Sequence, residues 1–97
     1  MHVISRRQLR EFAARHPDAN MSLRAWFHEA EQARWSAPMD IKRQYVAASI
    51  LRDNRVVFNI GGNKYRLVVK INYRAQIAYI RFVGTHSEYD RINAEAI

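Results

Sequence analysis

The spacing of the apolar residues changes once along the chain, near residue 50, and this change constrains the fold more than any other feature. Before it, apolar side chains recur at intervals of three and four, as on one face of a helix. After it, they alternate with polar side chains, as in a half-buried strand. The order predicts an α+β fold, and 97 residues leave room for one domain, spanning residues 1–97.

The first helix is predicted to begin at a capping box. Ser5 and Gln8 have the S-x-x-Q spacing in which the two side chains satisfy free amides at a helix start. The helix is predicted to end at His16, because the residue before Pro17 resists the helical conformation. The short apolar pair Val3-Ile4 fits an edge strand in front of it.

A second helix is predicted from about Ser22 to Arg34. Its apolar stripe, expected in the core, contains Leu23, Trp26, Phe27 and Ala30. Pro38 interrupts the pattern, and residues 39–45 fit either one more helical turn or a loop. The two N-terminal helices are therefore expected to pack on one face of a sheet formed by the second half.

The second half predicts a meander of three antiparallel strands. A strand from Arg55 to Ile60 is followed by Gly61-Gly62-Asn63, which permits the positive φ of a tight reversal. The strand at residues 64–72 has an apolar face comprising Tyr65, Leu67, Val69 and Ile71. Its other face comprises Lys64, Arg66, Val68, Lys70 and Asn72, and is expected to be open and cationic.

The third strand is predicted at residues 77–83. In a regular meander Ala78, Ile80 and Phe82 lie on the core face, and Tyr79 and Arg81 lie on the open face. Thr85 and Glu88 then form a T-x-x-E capping box that starts a short C-terminal helix at His86, with Tyr89 three residues further on the same side.

Charge indicates a polyanionic partner. Sixteen Lys and Arg against nine Asp and Glu give a net charge of +7, and 13 of the cations are arginines, whose planar guanidinium binds phosphate through two hydrogen bonds. Residues 54–87 contain six cations and no acid: Arg55, Lys64, Arg66, Lys70, Arg74 and Arg81. This stretch is predicted to bind phosphate, and a solvated basic face without a partner is the alternative.

Several classes of site are excluded or disfavoured. The chain has no cysteine, which excludes disulfides, thiol catalysis and cysteine-ligated metals. None of His2, His16, His28 and His86 has metal-ligand spacing, so no metal site and no cofactor are expected. No apolar run is long enough to span a bilayer, and no signal peptide is recognisable. The chain is expected to be soluble, unprocessed and cytoplasmic, without a membrane partner.

One short region contains the residue types needed to cleave RNA. The reaction needs a base for the 2′-hydroxyl, an acid for the leaving 5′-oxygen and cations for the phosphorane. Imidazole is the side-chain group that exchanges a proton near neutral pH, and His86 follows a strand that contains Arg81 and precedes Tyr89. On local spacing alone, a structural role for His86 is an equal alternative.

Two motifs resemble those of the HigB toxins of bacterial type II toxin-antitoxin systems. They are VFNIGGNKYRLV at Val57–Val68 and YIRFVGTHSEYD at Tyr79–Asp90, and the segments 3–6 and 35–38 also fit. The resemblance implies a RelE/ParE-like fold and an mRNA interferase, an endoribonuclease that cuts messenger RNA in the ribosomal decoding site. It also implies neutralisation by a HigA-type helix-turn-helix antitoxin.

The resemblance also suggests site residues. Inside the matching motifs we assign Arg81 to transition-state charge, His86 to general acid or base catalysis, Lys64 and Arg66 to phosphate, and Tyr89 to hydrogen bonding or stacking. Neighbouring residues expected to bind RNA are Lys70, Asn72, Arg74 and Tyr79. Two other functions stay open: a non-catalytic RNA- or ribosome-binding module, and a toxin of the same fold that acts on a topoisomerase.

Overall fold

The computed structural model describes all residues, 1–97, as five strands and four helices. In chain order they are β1 (His2–Ile4), α1 (Arg6–Arg15), α2 (Asn20–Gln32), α3 (Pro38–Gln44), β2 (Ser49–Ile50), β3 (Arg55–Ile60), β4 (Tyr65–Asn72), β5 (Ile77–Thr85) and α4 (His86–Tyr89). A 3₁₀ turn at Pro17–Ala19 joins α1 to α2. None of the helices is long and apolar enough to cross a membrane.

The strands form one mixed sheet in the order β1-β5-β4-β3-β2. β3, β4 and β5 are antiparallel neighbours, which confirms the predicted meander, and β1 confirms the predicted edge strand by pairing parallel to β5. The α+β class is therefore confirmed. The two-residue strand β2 at the opposite edge was not predicted, because its pairing depends on β3 rather than on its own sequence.

The reversal between β3 and β4 has the predicted backbone. Gly61 and Gly62 have φ angles of 62° and 71°, in the left-handed region that glycine adopts without a side-chain clash. The register that follows pairs Phe58 with Leu67 and Ile60 with Tyr65. All four of these side chains are buried on one face of the sheet, so the turn sets which residues of β4 face the core.

The main core lies between that face of the sheet and the helices. Trp26 of α2 packs against Phe58 of β3 with ring centroids 5.3 Å apart, and Phe12 of α1 packs against Tyr65 of β4 at the same centroid distance. Ile41 places α3 in the same core. Each large buried apolar side chain contributes about 1.5–3 kcal/mol relative to its exposed state, so these contacts stabilise the helical layer on the sheet.

The helix boundaries lie close to the predicted ones, whereas the cap predicted at the start of the first helix does not form. α1 ends at Arg15 with His16 as its C-cap, one residue before the predicted end, α2 begins and ends two residues earlier than predicted, and residues 38–44 form the third helix. The predicted capping box at Ser5 is wrong, because Ser5 makes no side-chain cap. Its expected partner Gln8 instead donates from Nε2 to the Ile80 carbonyl oxygen at 3.2 Å, satisfying β5 rather than the helix start.

A β-bulge in β5 changes the facing of the residues that follow it. Val69 pairs with Ile80 and Val68 pairs with Phe82, so Arg81 has no partner on β4. The extra residue reverses the alternation, and the prediction that Phe82 lies on the core face with Ile80 is wrong. Phe82 packs on the opposite face, beside Val68.

That opposite face is not open along its whole length. Residues 90–97, here called the C-terminal segment, cross it and form a second small core with Val57 and Val68, into which Ala94 is buried. Arg55 donates from Nε to the Ile97 backbone oxygen at 2.9 Å, which attaches the segment to β3. The prediction that Val68 belongs to an exposed cationic face is therefore wrong. Lys70 and Arg81 remain exposed, because the C-terminal segment does not cover them.

Candidate functional site

A basic groove lies at the end of the sheet where β4 leads into β5. Its volume is about 540 Å³. The groove contains all four residues predicted to bind RNA, together with Arg81: Lys70, Asn72, Arg74, Tyr79 and Arg81. We refer to these five residues as the basic groove.

The strand register and one turn position the groove side chains. Lys70 of β4 is the direct pairing partner of Tyr79 of β5, so an ammonium and an aromatic ring lie side by side on the surface. The Asn72 side-chain oxygen accepts a hydrogen bond from the Ala75 amide at 2.9 Å, which shapes the turn that presents Arg74. The bulge adds Arg81 to the same surface.

The cations of the groove are not neutralised by the protein. No carboxylate lies within 4.0 Å of the charged groups of Lys70, Arg74 or Arg81, although five other such pairs form elsewhere in the chain. All three side chains are exposed, and Tyr79 is half-buried. A groove with free cations beside an aromatic ring can bind the backbone of single-stranded nucleic acid and stack a base.

A second group of predicted residues lies at the other end of β4 and β5. We call Lys64, Arg66 and His86 the His86 cluster. The His86 amide donates to the Lys64 carbonyl oxygen at 3.1 Å, which continues the ladder one residue beyond the strands. The Arg66 guanidinium donates to the Asn63 and Tyr65 carbonyl oxygens at 3.1 and 3.2 Å, which holds it against the hairpin turn.

The helix that presents His86 begins at the predicted capping box. The Glu88 amide donates to the Thr85 hydroxyl at 3.2 Å, and the Thr85 amide donates to the Glu88 carboxylate at 2.8 Å. The hydrogen bond from the Thr85 backbone lowers the pKa of Glu88. Both ends of the first turn are therefore fixed, although α4 is only four residues long.

His86 is exposed and has one side-chain partner. Its Nδ1 lies 3.2 Å from Oδ2 of Asp90, one helical turn later, and its Nε2 makes no hydrogen bond within the protein. Tyr89 does not share this exposure, because its ring packs on the small core formed by Val57 and Val68. The His86 imidazole is an exposed proton-transfer group at this end of the sheet, where the half-buried His16 ring also lies, 5.4 Å from the Tyr65 ring between centroids.

Asp18 connects the His86 cluster to the helical layer. Its carboxylate accepts from the Tyr65 hydroxyl at 2.7 Å and from the Lys64 ammonium at 3.2 Å. The bond from Tyr65, followed by that from Lys64, holds the pKa of Asp18 below its ordinary value, and the same contact with Asp18 raises the pKa of Tyr65. The carboxylate therefore restrains the Lys64 ammonium against the helical layer.

The structure thus divides the predicted catalytic residues into two places. Lys64, Arg66 and His86 are together, whereas Arg81 belongs to the basic groove. Arg81 lies in β5 and His86 begins α4 five residues later, so their Cα atoms are at most about 17 Å apart at roughly 3.3 Å per residue. Nowhere do three His, Asp or Glu side chains gather as a metal-ligand set.

Two acids that contact the His86 cluster, Asp18 and Asp90, were not predicted from the sequence. Asp18 lies far from Lys64 in the sequence and carries no local signal of the contact. Asp90 did carry one, because a residue four positions after a histidine on a helix faces it. Its spacing from His86 could have been recognised before the structure.

A known protein family matches the part of the chain that contains both groups of site residues. The profile of a family described as "HigB_toxin, RelE-like toxic component of a toxin-antitoxin system" matches residues 19–92, which include the basic groove and the His86 cluster.

Similar individual proteins match over almost the whole chain. "mRNA interferase toxin HigB" of Escherichia coli (strain K12) is 31% identical over 96 residues, covering 97% of this chain and 92% of its own length. "mRNA interferase HigB" of Escherichia coli O6:H1 is 23% identical over 94 residues, covering 95% and 91%. The profile match and the 31% identity confirm the resemblance seen in the two motifs, and the chain belongs to the HigB family of RelE-like toxic components of toxin-antitoxin systems.

Proposed function

We propose that this toxin is an mRNA interferase, an endoribonuclease that cuts messenger RNA on the ribosome. The relatives named above carry that activity in their names. The observation that most strongly supports the proposal is that β4 and β5 present the basic groove at one end and the His86 cluster at the other. A single RNA strand bound along these two strands reaches both.

The proposed chemistry uses the RNA's own 2′-hydroxyl. Its oxygen attacks the adjacent phosphorus while a base takes its proton, and the bond to the 5′-oxygen breaks as that oxygen receives a proton. The products are a 2′,3′-cyclic phosphate and a free 5′-hydroxyl, so no water or metal ion is required. His86 exchanges a proton through Nε2, and nearby cations stabilise the charge of the phosphorane.

The geometry favours the binding of different phosphates by the cations at the two ends of the sheet. Lys64 and Arg66 lie at the same end of β4 and β5 as His86 and are assigned to the scissile phosphate, whereas Arg81, at most about 17 Å from His86 between Cα atoms, is assigned to a neighbouring phosphate in the groove. Lys70 and Arg74 hold the backbone further along, Asn72 shapes that turn, and Tyr79 stacks a base. Tyr89 supports α4 through its packed ring and can donate only from its hydroxyl.

The ribosome is the proposed place of cleavage because the site is open. The groove and His86 lie on the surface, and nothing in the fold encloses a substrate or positions it from a second side. A ribosome-bound message supplies a single strand held in one orientation, which compensates for the shallow site. We further propose that the protein acts in the cytoplasm, where translation takes place.

Single-turnover cleavage of ribosome-bound message tests the proposal. Wild-type protein should cut, and His86→Gln should slow the step by about 100-fold to 10,000-fold, the usual share of acid-base catalysis. His28→Gln, an exposed histidine on α2, is the matched control and should cut normally. Folded wild-type protein that binds ribosomes but never cuts would support a non-catalytic binding module and overturn the proposal.

The partner implied by the family is an antitoxin. We propose that it is a HigA-type helix-turn-helix protein encoded beside the toxin. Expression of the chain alone should arrest growth, and co-expression with the neighbouring reading frame should restore it. His86→Gln should relieve the arrest without the partner, which separates toxicity due to cleavage from toxicity due to overproduction.

A further inference from the structure

We infer that Asp90 is a positioning residue for the cleavage step, holding the His86 ring so that Nε2 is the nitrogen presented to RNA. The inference rests on the proposed function. It starts from the contact between Nδ1 of His86 and Oδ2 of Asp90 at 3.2 Å. Asp90 itself touches no substrate in this arrangement and acts only through the imidazole.

One closed turn of helix fixes both partners. The Asp90 amide donates to the His86 carbonyl oxygen at 3.1 Å, so residues 86 and 90 are held at the spacing at which side chains on a helix meet. The Thr85 capping box fixes the start of the same turn. The pair is therefore oriented by the backbone and does not depend on the chance approach of two mobile side chains.

A carboxylate determines which nitrogen of a neutral imidazole carries the proton. Ionised Asp90 can only accept a hydrogen bond, so the ring that binds it must carry hydrogen on Nδ1. Nε2 then has a free lone pair and no protein partner, which suits it to accept the 2′-hydroxyl proton. When Nε2 takes that proton, the adjacent carboxylate stabilises the imidazolium, as in other histidine-carboxylate pairs.

The Asp90 side chain has no partner other than His86. It makes no ion pair with any lysine or arginine, and its only side-chain partner is His86. The other acid of the turn, Glu88, is occupied by the Thr85 amide. The side chains of His86 and Asp90 are 54% and 60% exposed, and an exposed pair of this kind contributes little to stability, so substitutions at Asp90 report on function.

Nitrogen NMR of the His86 ring combined with single-turnover cleavage tests the inference. At about pH 8.5, where an ordinary imidazole is neutral, wild-type His86 should show the form protonated on Nδ1. Asp90→Asn should shift the ring toward the form protonated on Nε2, because the amide can donate to Nδ1. The same variant should cut ribosome-bound message about tenfold to a hundredfold more slowly, by analogy with other groups that orient a histidine.

Two further variants make the result specific. Asp90→Glu keeps a carboxylate and should recover most of the lost rate. Glu11→Gln removes a carboxylate from an equally exposed i, i+4 pair on α1 and should change neither the ring nor the rate.

The failure of the inference is distinct from the failure of the proposed function. Asp90→Asn with the wild-type ring form and the wild-type rate would overturn the positioning role. Absence of cleavage by folded, ribosome-bound wild-type protein would instead overturn the proposed function, and with it any role for Asp90 in cleavage.

Discussion

The ring of Phe82 occupies the space that a side chain on Gly84 would need. A Cβ on residue 84 would lie 2.5 Å from Cζ of Phe82 and 3.0 Å from the Glu88 carboxylate. Both neighbours matter for the site, because Phe82 packs against the core beneath the C-terminal segment and Glu88 completes the cap of α4. Gly84 is thus required by close packing and not by its backbone angles.

Gly84→Ala should lower the free energy of unfolding by about 1–3 kcal/mol, the usual cost of forcing a methyl group into a packed region. Urea unfolding measures it. Gly62→Asn is the matched control, because nothing lies within 4 Å of its Cβ position and asparagine tolerates positive φ. Equal stability of Gly84→Ala and wild type would show that Phe82 can move aside freely.

Val68→Ala tests the second core. The side chain is fully buried beneath the C-terminal segment, so removing two methyl groups should cost about 2 kcal/mol in urea unfolding, from lost burial and the cavity left behind. Val46→Ala provides the comparison, because Val46 is 77% exposed and its change should leave stability unaltered. Similar values for the two variants would mean that the segment does not cover β4 in solution.

The contact of Asp18 with Tyr65 predicts a pH dependence of stability. Because the pKa of Asp18 is lowered in the folded protein, its contribution is fully present above the ordinary value of 3.8 and is lost as the pH falls through the lower folded value. Urea midpoints measured between about pH 6 and pH 2 should therefore fall more steeply for wild type than for Asp18→Asn. Tyr65→Phe should flatten the curve in the same way, and parallel curves for all three proteins would contradict the contact.

RNA binding should depend strongly on salt. With three to five phosphate contacts, a fourfold increase in salt should weaken ribosome or RNA binding by about one to two decades. Lys70→Ala should reduce the slope of log affinity against log salt by about 0.7. Arg7→Ala, whose guanidinium is paired with Glu11 on α1, should leave the slope unchanged. A slope that does not respond to Lys70→Ala would remove the groove from the binding site.

The sequence predicted the parts of the fold that depend on neighbouring residues. The stripe of Leu23 and Trp26 and the alternation of Tyr65 and Leu67 report burial directly, since a helix or a strand repeats its facing at a fixed interval. The capping box at Thr85 succeeded for the same reason, because both of its partners lie within one turn.

The errors have a common physical cause, which is competition from residues distant in sequence. Gln8 has the spacing of a cap, but its side chain donates to the carbonyl oxygen of Ile80 in β5. Phe82 followed the expected alternation until one unpaired residue in the ladder reversed it. Val68 fitted an open face until the C-terminal segment was found to cover it. The catalytic role of His86, taken from its position inside a family motif, stays a prediction, and the acid beside Lys64 could be found only from the fold.

The parallel pairing of β1 with β5 has a consequence for how the protein is made. Val3 lies opposite Ala78, so this edge of the sheet cannot form until β5 has been synthesised, although β3 and β4, on which Trp26 and Phe12 pack, are made earlier. A nascent chain that has not yet reached β5 therefore lacks this edge of the sheet and has no His86. Under the proposed function, a nascent chain without β5 and α4 has no His86 with which to cut the message that is being translated.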